Sequence, residues 1–409
     1  MKKILWKFYG TLFLILLVLT MTLTSCSTNW QSVGNYTMAG SKVIIERQQL
    51  YSGFDGVNTK DYPCIASDGK KVLLSWGVSG VVQTDTFNSS QFAISTNRGN
   101  TFSENPQDAN IPSYIEGERL YHFMTQESIY SKKHKVFFEL GIEKITLSGS
   151  KSPLVECKIK YCLRDKETYQ LGEPKAFPFP FESPYPIPYG QAIEYENGDF
   201  LLLFYYIQPN TNEKFSVVAI RYSFDGENFA VVETGTPLVN NSLTRGYCEP
   251  SVVKFGDMYY MTIRSDENAY LAWSNDGLNY STPTLWKFDD GSVLGSCNTQ
   301  QRLISHEDDM FLVYTRFNGE NDHVMRNRAP LYMAKIDETN KCLIKDTEVV
   351  LVTNRGASLA NTIGICKLSK NKTLVFVIES MLGDSDSIAQ YGADNSVWLV
   401  KITSKTTCW

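Results

Sequence analysis

Residues 269–283 read AYLAWSNDGLNYSTP: an alternating run, a turn at Asn275-Asp276-Gly277, and an exit through a short segment bearing Tyr280. Asn, Asp and Gly tolerate the positive φ that tight hairpins require, so the stretch predicts two antiparallel strands joined by a turn. Related turns stand at 223–229 (SFDGENF) and 95–102 (STNRGNTF). Apolar strand-like runs surround them at 71–76, 136–140, 200–205, 258–263, 310–314 and 373–378. They recur about every 50 to 65 residues, with little helical periodicity after the first 30. Polar turns such as Ser67-Asp68-Gly69-Lys70, Glu196-Asn197-Gly198-Asp199 and Ser369-Lys370-Asn371-Lys372 precede several of them.

A supersecondary unit repeated at that spacing predicts an all-β fold, a six-bladed β-propeller. Six units of about 60 residues use up residues 46–409 as one domain; five blades, or a pair of β-sandwiches, are the competing architectures. Residues 105–120 and the proline-rich 177–189 (FPFPFESPYPIPY) fit no strand unit. Both read as long loops, which on compact folds often carry function.

The N-terminus has a different character. Lys2 and Lys3, an apolar run over 11–20 and Leu23-Thr24-Ser25-Cys26 have the pattern of a secretory signal. Its end resembles a bacterial lipobox, which implies a lipoprotein signal peptide over 1–25, lipidation of Cys26 and a lipid-anchored linker over 26–45. The expected location is the bacterial cell envelope, at the outer membrane, with the membrane reached through the N-terminal lipid.

A net charge of −5 argues against nucleic acid as a partner. Aromatic residues make up 13% of the chain, which suits both a β core and a sugar-stacking cleft. Cys64, Cys157, Cys162, Cys248, Cys297, Cys342, Cys366 and Cys408 are irregularly spaced. Disulfides and buried free thiols both stay open for them. No Cys-x-x-Cys or His-rich spacing marks a metal site, and no cofactor is expected. Asp384-Ser385-Asp386 reads as a solvated loop rather than a calcium site.

The three turns resemble the Asp-box, Ser-x-Asp-x-Gly-x-Thr-Trp, of bacterial sialidases and related propellers, with Asn97 and Phe102 as variants in the first copy. In that family the motif is structural and lies away from the active face, so it implies a fold and not a chemistry. A second resemblance is more specific. Glu249-Pro250, followed by Gly256-Asp257 and Arg264, is similar to the sialidase segment in which a Glu partners a tyrosine nucleophile and an Arg helps grip the substrate carboxylate. Antiparallel pairing of the two strands places Glu249 and Arg264 at one rim. Asp85 lies shortly before the first Asp-box, where the resemblance implies the general acid/base; Asp61 and Asp55 are rivals.

The segment 321–332 (NDHVMRNRAPLY) gathers His323, Arg326 and Arg328. Guanidinium forks match carboxylate or sulfate, and Arg328, at a strand entry, is preferred as the next member of the anion grip. His323 has the pKa range for acid/base work. Gln300, within Asn298-Thr299-Gln300-Gln301, offers an amide to sugar hydroxyls.

Two departures from the family stand out. Where sialidases carry Tyr/Phe-Arg-Ile-Pro, this chain has Lys60-Asp61-Tyr62-Pro63-Cys64-Ile65, without Arg. Where the nucleophilic Tyr belongs, it has Ala360-Asn361-Thr362-Ile363-Gly364. The resulting expectation is a divergent exo-acting glycoside hydrolase of sialidase-like type on acidic or decorated glycans, releasing sialic acid or another terminal sugar. Asp85 would be acid and Glu249 base or stabiliser of the nucleophile. A non-catalytic glycan-binding propeller is the alternative.

Overall fold

Several strands are apolar at consecutive positions rather than at alternate ones. Val72–Ser79, Phe200–Ile207 and Lys372–Ile378 are buried almost throughout. A strand with no polar face must be covered on both sides, so its sheet has to be sandwiched between two others. The computed structural model, which describes residues 30–38, 41–79, 89–110, 113–147, 154–209, 214–382 and 385–406, supplies that arrangement as a six-bladed β-propeller.

Blade 1 is built from Thr59–Ser67, Val72–Ser79, Ser89–Ser95 and Gln107–Ala109. Blade 2 follows with Arg119–Ser131, Val136–Leu147, Leu154–Leu163 and Lys175–Ala176, extended by the short strand Ser113–Glu116. Blade 3 runs Pro186–Pro188, Phe200–Ile207, Phe215–Phe224 and Phe229–Thr234. Blade 4 runs Cys248–Phe255, Met258–Arg264, Ala269–Ser274 and Thr284–Leu285. Blade 5 starts with Arg302–His306, Asp309–Tyr314 and Leu331–Asp337, the last pairing with both Cys342–Leu343 and Val349–Val352. Blade 6 pairs Gly364–Ser369, Lys372–Ile378 and Val397–Thr406 with Ser41–Tyr51 and Gln31–Met38 from the other end of the chain.

That last sheet corrects the expected boundaries. Residues 31–38 and 41–45, assigned to a linker, form ladder-paired strand, with Ile45 opposite Ile402 and Arg47 opposite Val400. The reason is ring closure: a circular array has no free end only if one blade takes strands from both termini. Residues 105–120 likewise contain two short strands, and 177–189 contains the first strand of blade 3. Residues 1–29, with Cys26, lie outside the described residues. No helix among the described residues is long and apolar enough to cross a membrane.

Hydrophobic clusters sit between successive blades. Phe138, Phe200, Phe204 and Tyr222 fill the junction of blades 2 and 3, and Leu201, Val217, Met261 and Ile263 that of blades 3 and 4. The described cysteines, Cys64 to Cys366, are all free thiols.

At one end of the ring lie the hairpins between first and second strands and the turns between third and fourth. Asp276 Oδ1 accepts the N–H groups of Leu278 and Asn279, both at 2.7 Å. Ser274 Oγ accepts that of Gly277 at 2.9 Å. Asn97 and Asp225 cap the corresponding turns of blades 1 and 3. Asp165 and Asp337 do the same in blades 2 and 5 without the full sequence pattern. The opposite end is left for the starts of first strands and the connections after second strands.

Two polar groups inside the blades make stability testable. Glu139 and Arg164 of blade 2 are paired at 2.5 Å with side chains 0% and 1% exposed. Arg164→Met leaves a buried carboxylate without its cation and is expected to cost about 3–5 kcal/mol, read as a lower denaturant midpoint. His306 of blade 5 is clasped by Thr373 (3.1 Å) and Ser404 (2.8 Å) of blade 6. Burial, then Lys367, push its pKa down to about 4. The unfolded chain therefore takes up the proton first, near pH 6.5, and stability present above that value is lost as pH falls towards 4. His122, also held at about 4 by burial and Lys144, contributes with the same sign. The unfolding midpoint should drop across this window, and less steeply in His306→Gln.

Candidate functional site

The first strands of blades 1, 2 and 4 share a local irregularity. Each carries a bulge, between Asp61 and Cys64, Thr125 and Glu127, and Cys248 and Ser251. Tyr62 and Glu249 hold positive φ there, at 54° and 46°. Such backbone costs on the order of 1–3 kcal/mol per residue and re-aims the side chain out of strand alternation. Both residues line one cavity of about 190 Å³.

Glu249 and Arg264 meet there as expected. Cys248 pairs with Arg264 in the ladder, which brings the carboxylate to 2.5 Å from Nη1. Arg326 and Arg328 line the same cavity from the connection before the third strand of blade 5. Arg245, which the sequence did not single out, joins them from the segment preceding blade 4. Asn298 ties this group together: its side-chain oxygen accepts from Arg264 and, at 3.1 Å, from Arg245, and its backbone carbonyl accepts from Arg328 at 2.9 Å.

The guanidinium groups are not equally compensated. Burial disfavours the charge of Arg264, but Glu249 overrides it and holds the pKa above the usual arginine range. Arg245 forms a bidentate pair with Asp266, at 2.7 and 2.5 Å. Arg328 is buried and pushed down to about 10 by burial, then by repulsion from Arg264, with Glu249 only partly offsetting this. Its partners are the Asn361 side-chain oxygen at 2.5 Å and the Asn298 carbonyl, both uncharged. The Nε atoms of Arg264 and Arg328 are buried without a hydrogen-bond partner among the described residues. Glu249 is the one carboxylate lining the cavity among the described residues, against Arg245, Arg264, Arg326, Arg328 and Lys144. This arrangement can hold a carboxylate or sulfate by charge-assisted hydrogen bonds.

The facing wall is aromatic and apolar. Tyr185, Ile187 and Tyr189 come from the proline-rich segment, and Tyr205 and Phe215 from blade 3. Tyr189 is pinned from behind. Its ring lies 4.7 Å from the guanidinium of Arg302, which is fully buried and paired with Glu127 at 2.7 Å. Glu127 also accepts the Gly190 N–H at 2.9 Å. Gly190, at φ 94°, passes so close to the Pro250 carbonyl that a Cβ there would collide with it. Burial first, then the charge of Glu249, hold the phenols of Tyr189 and Tyr205 well above the usual tyrosine range, so both are hydrogen donors at neutral pH. The sequence signal for this wall was the unexplained FPFPFESPYPIPY itself.

Other expected site residues fall elsewhere. Gln300 is 1% exposed; its amide donates to the Asn361 carbonyl and accepts from Ile363 N–H, so it clasps blades 5 and 6 instead of lining the cavity. His323 is exposed, stacked on Tyr391 at 4.2 Å and bonded to Asn354, away from the cavity wall. Asp55 caps a surface turn through Val57 and Asn58. Asp61 is buried beside the cavity and bonds Asn361 and Ser380. Asp85 lies outside the described residues; its connection leaves blade 1 at Ser79, which pairs with Thr59 at the cavity end of the blade. No group of potential metal ligands occurs among the described residues.

No protein-family model matches the chain, and no curated protein sequence matches it. Solved structures do resemble it. A protein of unknown function from Dyadobacter fermentans DSM 18053 aligns with TM-score 0.60 and 13% identity, over 90% of this chain and 100% of its own. A leech intramolecular trans-sialidase complexed with 2,7-anhydro-Neu5Ac aligns with TM-score 0.57 and 12% identity, over 90% and 70%. A Hadza microbial sialidase aligns with TM-score 0.55 and 9% identity, over 85% and 66%. At these identities the likeness is one of fold: the six-bladed propeller that sialidases share.

Because Arg328 is buried and has no carboxylate partner among the described residues, an anion bound beside it should stabilise the protein. Sulfate is expected to raise the unfolding midpoint of the unsubstituted chain in low-salt buffer and to leave that of Arg328→Met unmoved, as measured by thermal denaturation.

Proposed function

We propose that the protein is an exo-acting glycoside hydrolase of sialidase-like type, acting on a terminal acidic sugar such as sialic acid. The observation that carries this reading is the meeting of Glu249 with Arg264, Arg328, Arg326 and Arg245 in one small cavity faced by tyrosines. The anionic group of the sugar would sit against Arg328 and its neighbours. The ring would lie along Tyr205 and the proline-rich wall. A cavity of about 190 Å³ suits one sugar unit better than a chain, which supports cleavage from an end.

The lack of a tyrosine in the stretch from Ala360 to Leu368, where the resemblance expects the nucleophile, favours a water mechanism in this reading. Glu249 takes a proton from water as its oxygen attacks the anomeric carbon, the glycosidic C–O bond breaks, and Asp85 protonates the leaving oxygen. Lipidation at Cys26 and a place on the bacterial cell envelope belong to the same proposal, on the N-terminal sequence pattern alone.

One observation favours a second reading, a glycan-binding propeller without catalysis. Glu249 is engaged by Arg264 at 2.5 Å, and no second carboxylate lines the cavity among the described residues.

Incubation with a panel of sialosides, glucuronides and sulfated glycans separates the two. Release of free acidic monosaccharide is expected, falling by about 100-fold or more in Glu249→Gln. Undiminished release by that variant would remove Glu249 from the reaction. Binding of a panel member with no release would establish the non-catalytic reading instead.

A further inference from the structure

The two stretches that depart from the sialidase pattern touch each other. Asp61 belongs to the stretch that lacks the expected arginine and Asn361 to the stretch that lacks the expected tyrosine, 300 residues apart. In the folded ring the Asn361 amide nitrogen donates to Asp61 Oδ2 at 3.0 Å. The Asn361 side-chain oxygen accepts from Arg328 Nη1 at 2.5 Å. The chain Asp61, Asn361, Arg328 thus joins blade 1, the entry to blade 6 and blade 5.

The chemistry of the three groups fixes the direction of this chain. An ionised carboxylate only accepts and a guanidinium only donates. An amide between them can stand one way round, with NH₂ towards Asp61 and C=O towards Arg328. Both flanks are secured. Asp61 accepts from the Tyr62 N–H at 2.8 Å and from Ser380 Oγ at 3.0 Å. Asn361 Oδ1 also accepts from Ser358 Oγ at 2.8 Å.

We propose that Asp61 and Asn361 form a positioning pair that aims Arg328 at a bound anion without neutralising it. A carboxylate placed directly on Arg328 would orient it equally well but would compete with the ligand for its charge. An interposed amide transmits the orientation and keeps the counter-charge one residue away. The site is therefore rebuilt around a different device, and its ligand is a carboxylate or sulfate held chiefly by Arg328. This inference rests on the acidic-sugar reading above; neither Asp61 nor Asn361 is assigned a role in bond cleavage.

The test exchanges the pair. Asp61→Asn combined with Asn361→Asp conserves formal charge and lets the new amide at 61 donate to the new carboxylate at 361, but it puts that carboxylate on Arg328. Binding of sulfate and of free sialic acid is followed by titration, alongside the unfolding midpoint. The positioning role predicts a midpoint close to that of the unsubstituted protein, with anion affinity reduced about tenfold or more. Unchanged anion affinity in the exchanged protein would overturn the proposal and leave the pair as a clasp between blades. Should the double variant fail to fold, Asn361→Asp alone carries the same contrast, since it too sets a carboxylate on Arg328. No binding of either anion by the unsubstituted protein would overturn the acidic-sugar reading and this inference with it.

Discussion

Everything at the cavity depends on the burial of both faces of the blades' central strands, such as Val72–Ser79, Phe200–Ile207 and Lys372–Ile378. A sheet packed on each side by another sheet has no wet face on which to place charge. Ionic side chains are then confined to strand ends, to the outermost strands, or to fully paired buried sites such as Glu139 with Arg164. Ring closure brings six sets of strand ends to a common mouth. The cavity is where a fold that excludes charge from its sheets has left room for it.

The bulges exploit that freedom. Regular pleating would send residues 62 and 249 alternately into the neighbouring blades, where an ionised Glu could not stay. Positive φ at Tyr62 and Glu249 breaks the alternation at the bulges. The local strain is sustained by pairing on either side: Thr59 with Ser79, and Ser251 with Thr262. Strained backbone, an ion pair and the cavity coincide at Glu249.

Charge within the mouth is graded rather than balanced. Arg245 and Arg264 each face a carboxylate, whereas Arg328 faces amide and carbonyl oxygens. Guanidinium groups of one kind therefore differ sharply in how tightly they hold their protons, with Arg264 above the arginine range and Arg328 below it. The difference follows from which oxygen stands opposite each, a property of the assembled ring and of no single strand. The aromatic wall is likewise an assembled feature, since Tyr189 is held by Arg302 and Glu127 from two other blades.

The repeat of apolar runs and polar turns pointed to a six-bladed propeller, because strand and turn preferences are local and the period approximates one blade; five blades or paired sandwiches were excluded only by the assembled sheets. Glu249 and Arg264 were legible for the same reason: they are joined by one hairpin, and hairpin register places its two ends together. Contacts between blades were not legible. Gln300 and His323 carry suitable chemistry but face a blade junction and the surface, and nothing local distinguishes them from Arg328. The entry of Gln31–Met38 and Ser41–Tyr51 into blade 6, the meeting of Asp61 with Asn361, and the delivery of Tyr185 and Tyr189 by a proline-rich loop all join residues remote in sequence. Local pattern determined the blades, while only closure of the ring decided which of their ends face one another.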